Sequence, residues 1–132
     1  MVTTLVVDGK REQRQAIVNA LVRVIGISVQ GAVSSYSAAV RILGDLAPDI
    51  VVMGTELEDG NALELLVALR SQTPRPGVIV IGPASQSLTH TVWGADRYVP
   101  NDRGIDAIED AVVALGRARA ISPTSSRRAT AS

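Results

Sequence analysis

Pro48-Asp49-Ile50-Val51-Val52-Met53-Gly54 is the stretch on which the reading of this chain turns. Four apolar residues in a row, Ile50 to Met53, read as a short strand covered on both faces, because a strand with one wet face would alternate. Gly54 ends it without a side chain. An acidic loop follows (Glu56, Glu58, Asp59, Gly60), and an apolar-periodic helix starts at Asn61. Strand, loop and helix in this order make one βα unit of a parallel sheet.

The same alternation continues in both directions. Further strands are predicted near Thr3–Val7, Ile27–Val33, Val78–Ile81 and Arg97–Val99. Helices are predicted near Glu12–Val24, Ser37–Leu46, Ala62–Arg70 and Ile105–Arg119. In the last of these, Ile105, Ile108, Val112 and Leu115 form an apolar stripe. Asp106, Glu109 and Asp110 lie at its start and Arg117 and Arg119 near its end, the order the helix dipole favours. The expected fold is α/β, a doubly wound five-stranded parallel sheet with right-handed crossovers. From Ile121 the composition turns to Ser, Thr, Pro, Arg and Ala, so one domain is expected over 1–120 and a flexible tail or the start of a linker over 121–132. Within that tail Arg127-Arg128-Ala129-Thr130 resembles a basophilic-kinase substrate, although its composition favours a merely solvated segment.

Composition excludes several classes of function. With 132 residues and 46% hydrophobic content, the chain has the size of one domain, which buries roughly two-thirds of its unfolded surface. Its 13 basic and 13 acidic residues cancel, so no overall field draws it to nucleic acid or to a membrane. It has no cysteine, which rules out disulfides and thiolate sites and fits a cytoplasmic protein. Its start has no secretory-signal pattern, and no apolar run is long enough to cross a bilayer. Asp8-Gly9-Lys10 follows a strand and precedes a helix as phosphate loops do, but neither a Walker nor a Gly-x-Gly-x-x-Gly pattern is present.

From Thr3 to about Ala118 the chain resembles the receiver (CheY-like) domain of bacterial two-component response regulators. Leu5-Val6-Val7-Asp8-Gly9-Lys10 is similar to that family's first strand and acidic pocket, with Gly9 where a second acid would stand. Pro48 to Leu65 matches the phosphoacceptor segment, with Gly54 in place of the aspartate that takes the phosphoryl group. After Val78-Ile79-Val80-Ile81 the family has Thr or Ser; here stands Gly82-Pro83. Gly94-Ala95-Asp96-Arg97-Tyr98-Val99 matches the approach to the fifth strand, and the family's lysine falls on Asn101. The resemblance implies strand order 2-1-3-4-5, with the crevice at the carboxyl ends of the first and third strands. Between Gly82 and Gly94 the chain is a few residues shorter than the family, so the fourth helix is expected to be shortened or displaced.

The implied pocket is degenerate: Asp8, Gly9, Gly54, Gly82 and Asn101. Receivers need a carboxylate nucleophile, oxygen ligands for Mg²⁺, and a lysine and a hydroxyl for the phosphoryl oxygens. Of the usual three acids only Asp8 survives, so no metal and no cofactor are expected. Lys10 is a candidate pocket cation paired with Asp8, or else is solvated at the start of the first helix. Thr55, Glu56, Glu58 and Asp59 lie close enough in sequence to be substitute phosphoacceptors. A neutral hydroxyl at Thr55 has no evident base, and the acids read as a solvated loop. His90, the only histidine, has no Cys or second His to share a metal and is expected at the surface or a helix end. Trp93 is either a space-filling core residue or an exposed interface anchor, and Tyr98 keeps the family's fifth-strand aromatic.

The function expected is that of a pseudo-receiver. It would be a non-catalytic, phosphorylation-independent signalling domain of an atypical response regulator, acting by protein contact. The resemblance offers three settings: before a DNA-binding module, before a pilus-assembly-type ATPase, or alone. A protein partner or a second copy is expected on the face of the fourth helix, fifth strand and last helix. No direct nucleic-acid or membrane binding is expected. The alternatives are phosphorylation of a substitute residue, and sensing of a small molecule in an emptied pocket.

Overall fold

The structure, a computed structural model, describes residues 1–131, and side chains as far as Arg119. Five parallel strands form its sheet: β1 (Val2–Val7), β2 (Ile27–Val33), β3 (Ile50–Gly54), β6 (Gly77–Gly82) and β7 (Arg97–Pro100). Their order is β2-β1-β3-β6-β7, the expected 2-1-3-4-5 once a two-stranded hairpin, β4 (Glu56–Leu57) with β5 (Gly60–Asn61), is set aside. The helices are α1 (Arg11–Leu21), α2 (Tyr36–Asp45), α3 (Ala62–Leu69), α4 (Ser87–Val92) and α5 (Ile105–Ala131).

Two apolar layers cover the sheet. Leu5, Val7, Val51, Met53, Val78 and Val80 pack against α2 and α3, while Val6, Ile50, Val52, Ile79 and Ile81 pack against α1 and α5. This is why the central strands read as unbroken apolar runs: alternate residues serve opposite layers. Edge strand β2 does this with a twist. Its register to β1 slips between Thr4 and Leu5, where Val29 pairs with Thr4 and Gly31 with Leu5. The extra residue, Gln30, reverses the alternation. Ile27 and Val29 therefore join one layer and Val33 the other.

Local chemistry sets the helix starts. Ser35 caps α2 by accepting from Ala38 N at 3.0 Å. Asn61 and Glu64 form a reciprocal capping box on α3, the kind of device worth about 1 kcal/mol. The acidic segment between β3 and α3 closes into the β4–β5 hairpin because Leu57 is buried and Gly9 N donates to Glu56 O at 3.0 Å. The fourth helix is short as expected, a 3-10 turn over Ala84–Gln86 followed by six residues. Helix α5 runs on through Ala131, beyond the end expected near Arg119. The tail or linker expected over 121–132 falls where side chains lie outside the described residues. Among the described residues no helix is long and apolar enough to cross a membrane.

Candidate functional site

Three strand ends meet at the carboxyl edge of the sheet. Asp8 follows β1, Gly54 closes β3 and Gly82 closes β6, and each position is buried. Asp8 is 1% exposed. Its carboxylate accepts from Lys10 N at 2.8 Å and from Gln13 Nε2 at 2.5 Å, while Arg14 Nη1 donates to the Asp8 carbonyl at 2.7 Å. Burial pushes the carboxyl above its ordinary value, and those hydrogen bonds with the nearby Lys10 and Arg14 charges pull the other way.

Lys10 therefore reaches Asp8 through its backbone N–H. Its ammonium forms no ion pair with Asp8; among the described residues the ion pair within reach is Arg75–Asp96, at 3.3 Å. Of the two readings of Lys10 the structure favours the solvated one, since its side chain is exposed and the side-chain amide of Gln13 sits on the carboxylate. Sequence reasoning missed Gln13 and Arg14. The available signal was their position in the first turn of α1, which starts beside the end of β1.

At each glycine of the pocket, a group from elsewhere fills the space a side chain would need. A Cβ on Gly54 would stand 2.6 Å from Asp8 Oδ2 and 2.8 Å from its Cγ. A Cβ on Gly9 would stand 2.7 Å from Glu56 O and 3.0 Å from Leu57 Cα. At Gly82 it would meet the Thr55 methyl and lie 2.7 Å from the Tyr98 hydroxyl. Real Cβ atoms do not make such approaches, so the glycines are what lets these groups close in. What remains is a cavity of about 70 Å³, with Asp8, Lys10, Gln13, Thr55, Gln86 and Asn101 among its walls. Asn101 stands exposed at its rim.

The neighbouring acids are also engaged. Ser34 Oγ donates to Glu58 Oε1 at 2.7 Å. Asp59 accepts from Tyr36 N at 2.5 Å, from Ser37 N at 3.1 Å and from the Ser37 hydroxyl. Asp59 thus caps α2 from outside, and the Ser37 hydroxyl chief among its donors holds its carboxyl below the ordinary value.

Around α4 the structure chooses between the alternatives left open for His90 and for Trp93. His90 stands at a helix end, in the last turn of α4, and it is buried there, 4% exposed, rather than at the surface. The phase of a helix only six residues long turns this side chain onto β7, with its ring centroid 5.4 Å from that of Tyr98. Its Nδ1 faces Gln86 O at 2.8 Å, so that nitrogen carries the proton. Trp93 is 43% exposed, with the Arg70 guanidinium 5.1 Å above its ring; it is a surface residue, not core filling. Leu88 and Val92 are more exposed still, at 76% and 70%. The Tyr98 hydroxyl donates to Pro83 O at 2.6 Å.

No protein-family model matches the chain. In sequence it is similar to the transcriptional regulatory protein MalR of Bacillus subtilis, 31% identical over 86 residues, 65% of this chain and 37% of MalR. It is also similar to the photosynthetic apparatus regulatory protein RegA of Rhodobacter capsulatus, 31% identical over 87 residues, 64% of this chain and 47% of RegA. The chain spans less than half the length of these relatives. In structure it is similar to the receiver domain of the Francisella response regulator 1452, with a TM-score of 0.80 at 20% identity, covering 90% of this chain and 99% of that one. The fold is that of a response-regulator receiver domain.

Proposed function

We propose that this protein is a pseudo-receiver, a non-catalytic signalling domain that works without aspartyl phosphate and acts through protein contact in the cytoplasm. One observation carries the reading. The carboxylate of Asp8 occupies the space that a side chain at Gly54 would need, so that position offers neither an acceptor nor room for one. The pocket's walls hold one buried acid, Asp8, with Lys10 and an exposed Glu56 beside the neutral Gln13, Thr55, Gln86 and Asn101. Magnesium gives up its water reluctantly without more carboxylates or substrate phosphates. A small-molecule sensor fits less well, because about 70 Å³ is far below the roughly 300–1,000 Å³ of ligand pockets.

The contact face is built from α4, β7 and the first turns of α5. Leu88, Val92 and Trp93 form an exposed apolar surface, and no Asp, Glu, Lys or Arg occurs between Pro83 and Ala95. Arg97 on β7 and Asp106 and Asp110 on α5 are exposed beside it, charges of opposite sign that two copies can exchange. The domain serves as the regulatory part of a larger protein, a transcription factor or a pilus-assembly-type ATPase, or acts alone.

Intact-mass spectrometry after incubation with acetyl phosphate and Mg²⁺ tests the chemistry. No stoichiometric gain is expected; a gain that disappears in Glu56→Gln or Asp59→Asn would establish a substitute acceptor and sink the reading. Sedimentation velocity tests the face: Trp93→Ala should weaken association by about 2 kcal/mol with the fold intact.

A further inference from the structure

We propose that Arg119 and Arg75 form a relay joining α4 to the last helix, so that whatever covers the α4 surface is felt in α5 near Arg119. The proposal rests on the reading of α4 as the interaction face.

Helix α4 is poorly anchored by its own side chains. It has six residues, of which only His90 is buried, and helices shorter than about 12–15 residues are marginal without outside support. The carbonyls just past its end are instead held by arginines from other elements. Arg70 Nη2 donates to Trp93 O at 3.3 Å, and Arg75 Nη2 donates to Gly94 O at 2.5 Å. Gly94, whose φ of +124° suits a glycine, ends the helix with its N–H on Thr91 O. Arg75 also grips Asp96 Oδ2 at 3.3 Å and Pro76 O at 3.2 Å. Charged donors make these the stronger kind of hydrogen bond.

The next link runs from Arg75 to α5. Arg119 Nη2 donates to the Arg75 carbonyl at 2.7 Å. It reaches there by lying flat across Gly77, where a Cβ would stand only 2.7 Å from Arg119 Cδ and 2.9 Å from Leu115 Cδ2. The missing side chain at Gly77 is therefore part of the relay. A displacement of α4 pulls Gly94, the Arg75 fork and the Arg75 carbonyl in turn, and so loads Arg119 on α5.

Trp93, the one tryptophan of the chain, reports on the joint. The test compares Arg75→Met, Arg119→Met and the double variant as dilute monomers, below any association. Arg119 does not touch Trp93, yet Arg119→Met is expected to red-shift Trp93 emission and to speed amide exchange over 89–95 several-fold, with β3 amides unchanged. The double variant should shift no further than the larger single one. In the other direction, Trp93→Ala should speed exchange over 112–119. Wild-type emission and exchange at α4 in Arg119→Met, or effects that simply add, would overturn the relay. If Arg119→Met does not fold, Arg119→Lys keeps the charge, loses the fork and is read the same way. These readouts need no association, so a failed relay leaves the interface standing, and an association unmoved by Trp93→Ala leaves the relay standing.

Discussion

The Asp8 carboxylate stands where the first carbon of a side chain on Gly54 would go, 2.6 Å from that position at Oδ2. Asp8 can retreat only by giving up Lys10 N and Gln13 Nε2. Gly54→Ala should therefore destabilise the fold by about 1–3 kcal/mol, the usual cost of overpacking. Gly54→Asp should cost more, since two carboxyl groups would then share one buried site. Chemical unfolding of Gly54→Ala with and without Asp8→Ala checks the cause. The second change should recover part of the first loss, and simple additivity would count against the contact.

Asp8 predicts its own pH dependence. Its folded pKa lies above the ordinary value of 3.8 because burial penalises the charge. The folded state then holds this proton more tightly than the unfolded state. Its contribution is most favourable below 3.8 and is lost as pH rises through the folded value. Asp8→Asn removes that loss while keeping the shape, so its melting temperature should exceed that of wild type at pH 7, with the gain shrinking towards pH 4. A gain confined to acid would reverse the argument.

Asp59 works in the opposite sense. Hydrogen bonds from Ser37 and Tyr36 hold its carboxyl below 3.8. The stability it contributes is complete above the unfolded value and is lost as pH falls through the folded one. Asp59→Asn should lower the melting temperature at pH 7 and converge on wild type in strong acid. A constant difference across the pH range would assign the effect to shape, not charge.

Gly82 makes room for the Tyr98 hydroxyl, which lies 2.7 Å from where a Cβ would stand and bonds to Pro83 O. Gly82→Thr should cost about 1–3 kcal/mol by overpacking and loosen the segment leading into α4. Adding Tyr98→Phe removes the colliding oxygen and should restore part of the loss. If denaturant midpoints show no restoration, Thr55 is the obstacle.

Thr4 carries a buried hydroxyl with no hydrogen-bond partner. Thr4→Val keeps the branched shape and removes the unpaired group, so stability should rise by about 1 kcal/mol. A drop in melting temperature would mean that the hydroxyl has a partner after all.

The sequence by itself determined the alternation of strands and helices and the burial of the central strands on two faces. The unbroken apolar runs at Leu5–Val7, Ile50–Met53 and Val78–Ile81 read as strands covered on both faces, and the glycines at 9, 54 and 82 stand out as positions without a side chain at or just after strand ends. Local pattern carries that much because burial on two faces is written residue by residue. What fills the glycine positions was decided by tertiary structure alone: Asp8 comes from the residue after β1, the Tyr98 hydroxyl from β7 and the Glu56 carbonyl from β4. The same holds for His90, whose burial depends on the phase of a six-residue helix, and for Ile27 and Val29, whose layer depends on the bulge at Gln30. Those outcomes turn on shifts of an ångström between segments far apart in the chain, where hard-core repulsion rises steeply and no single stretch of sequence records the distance.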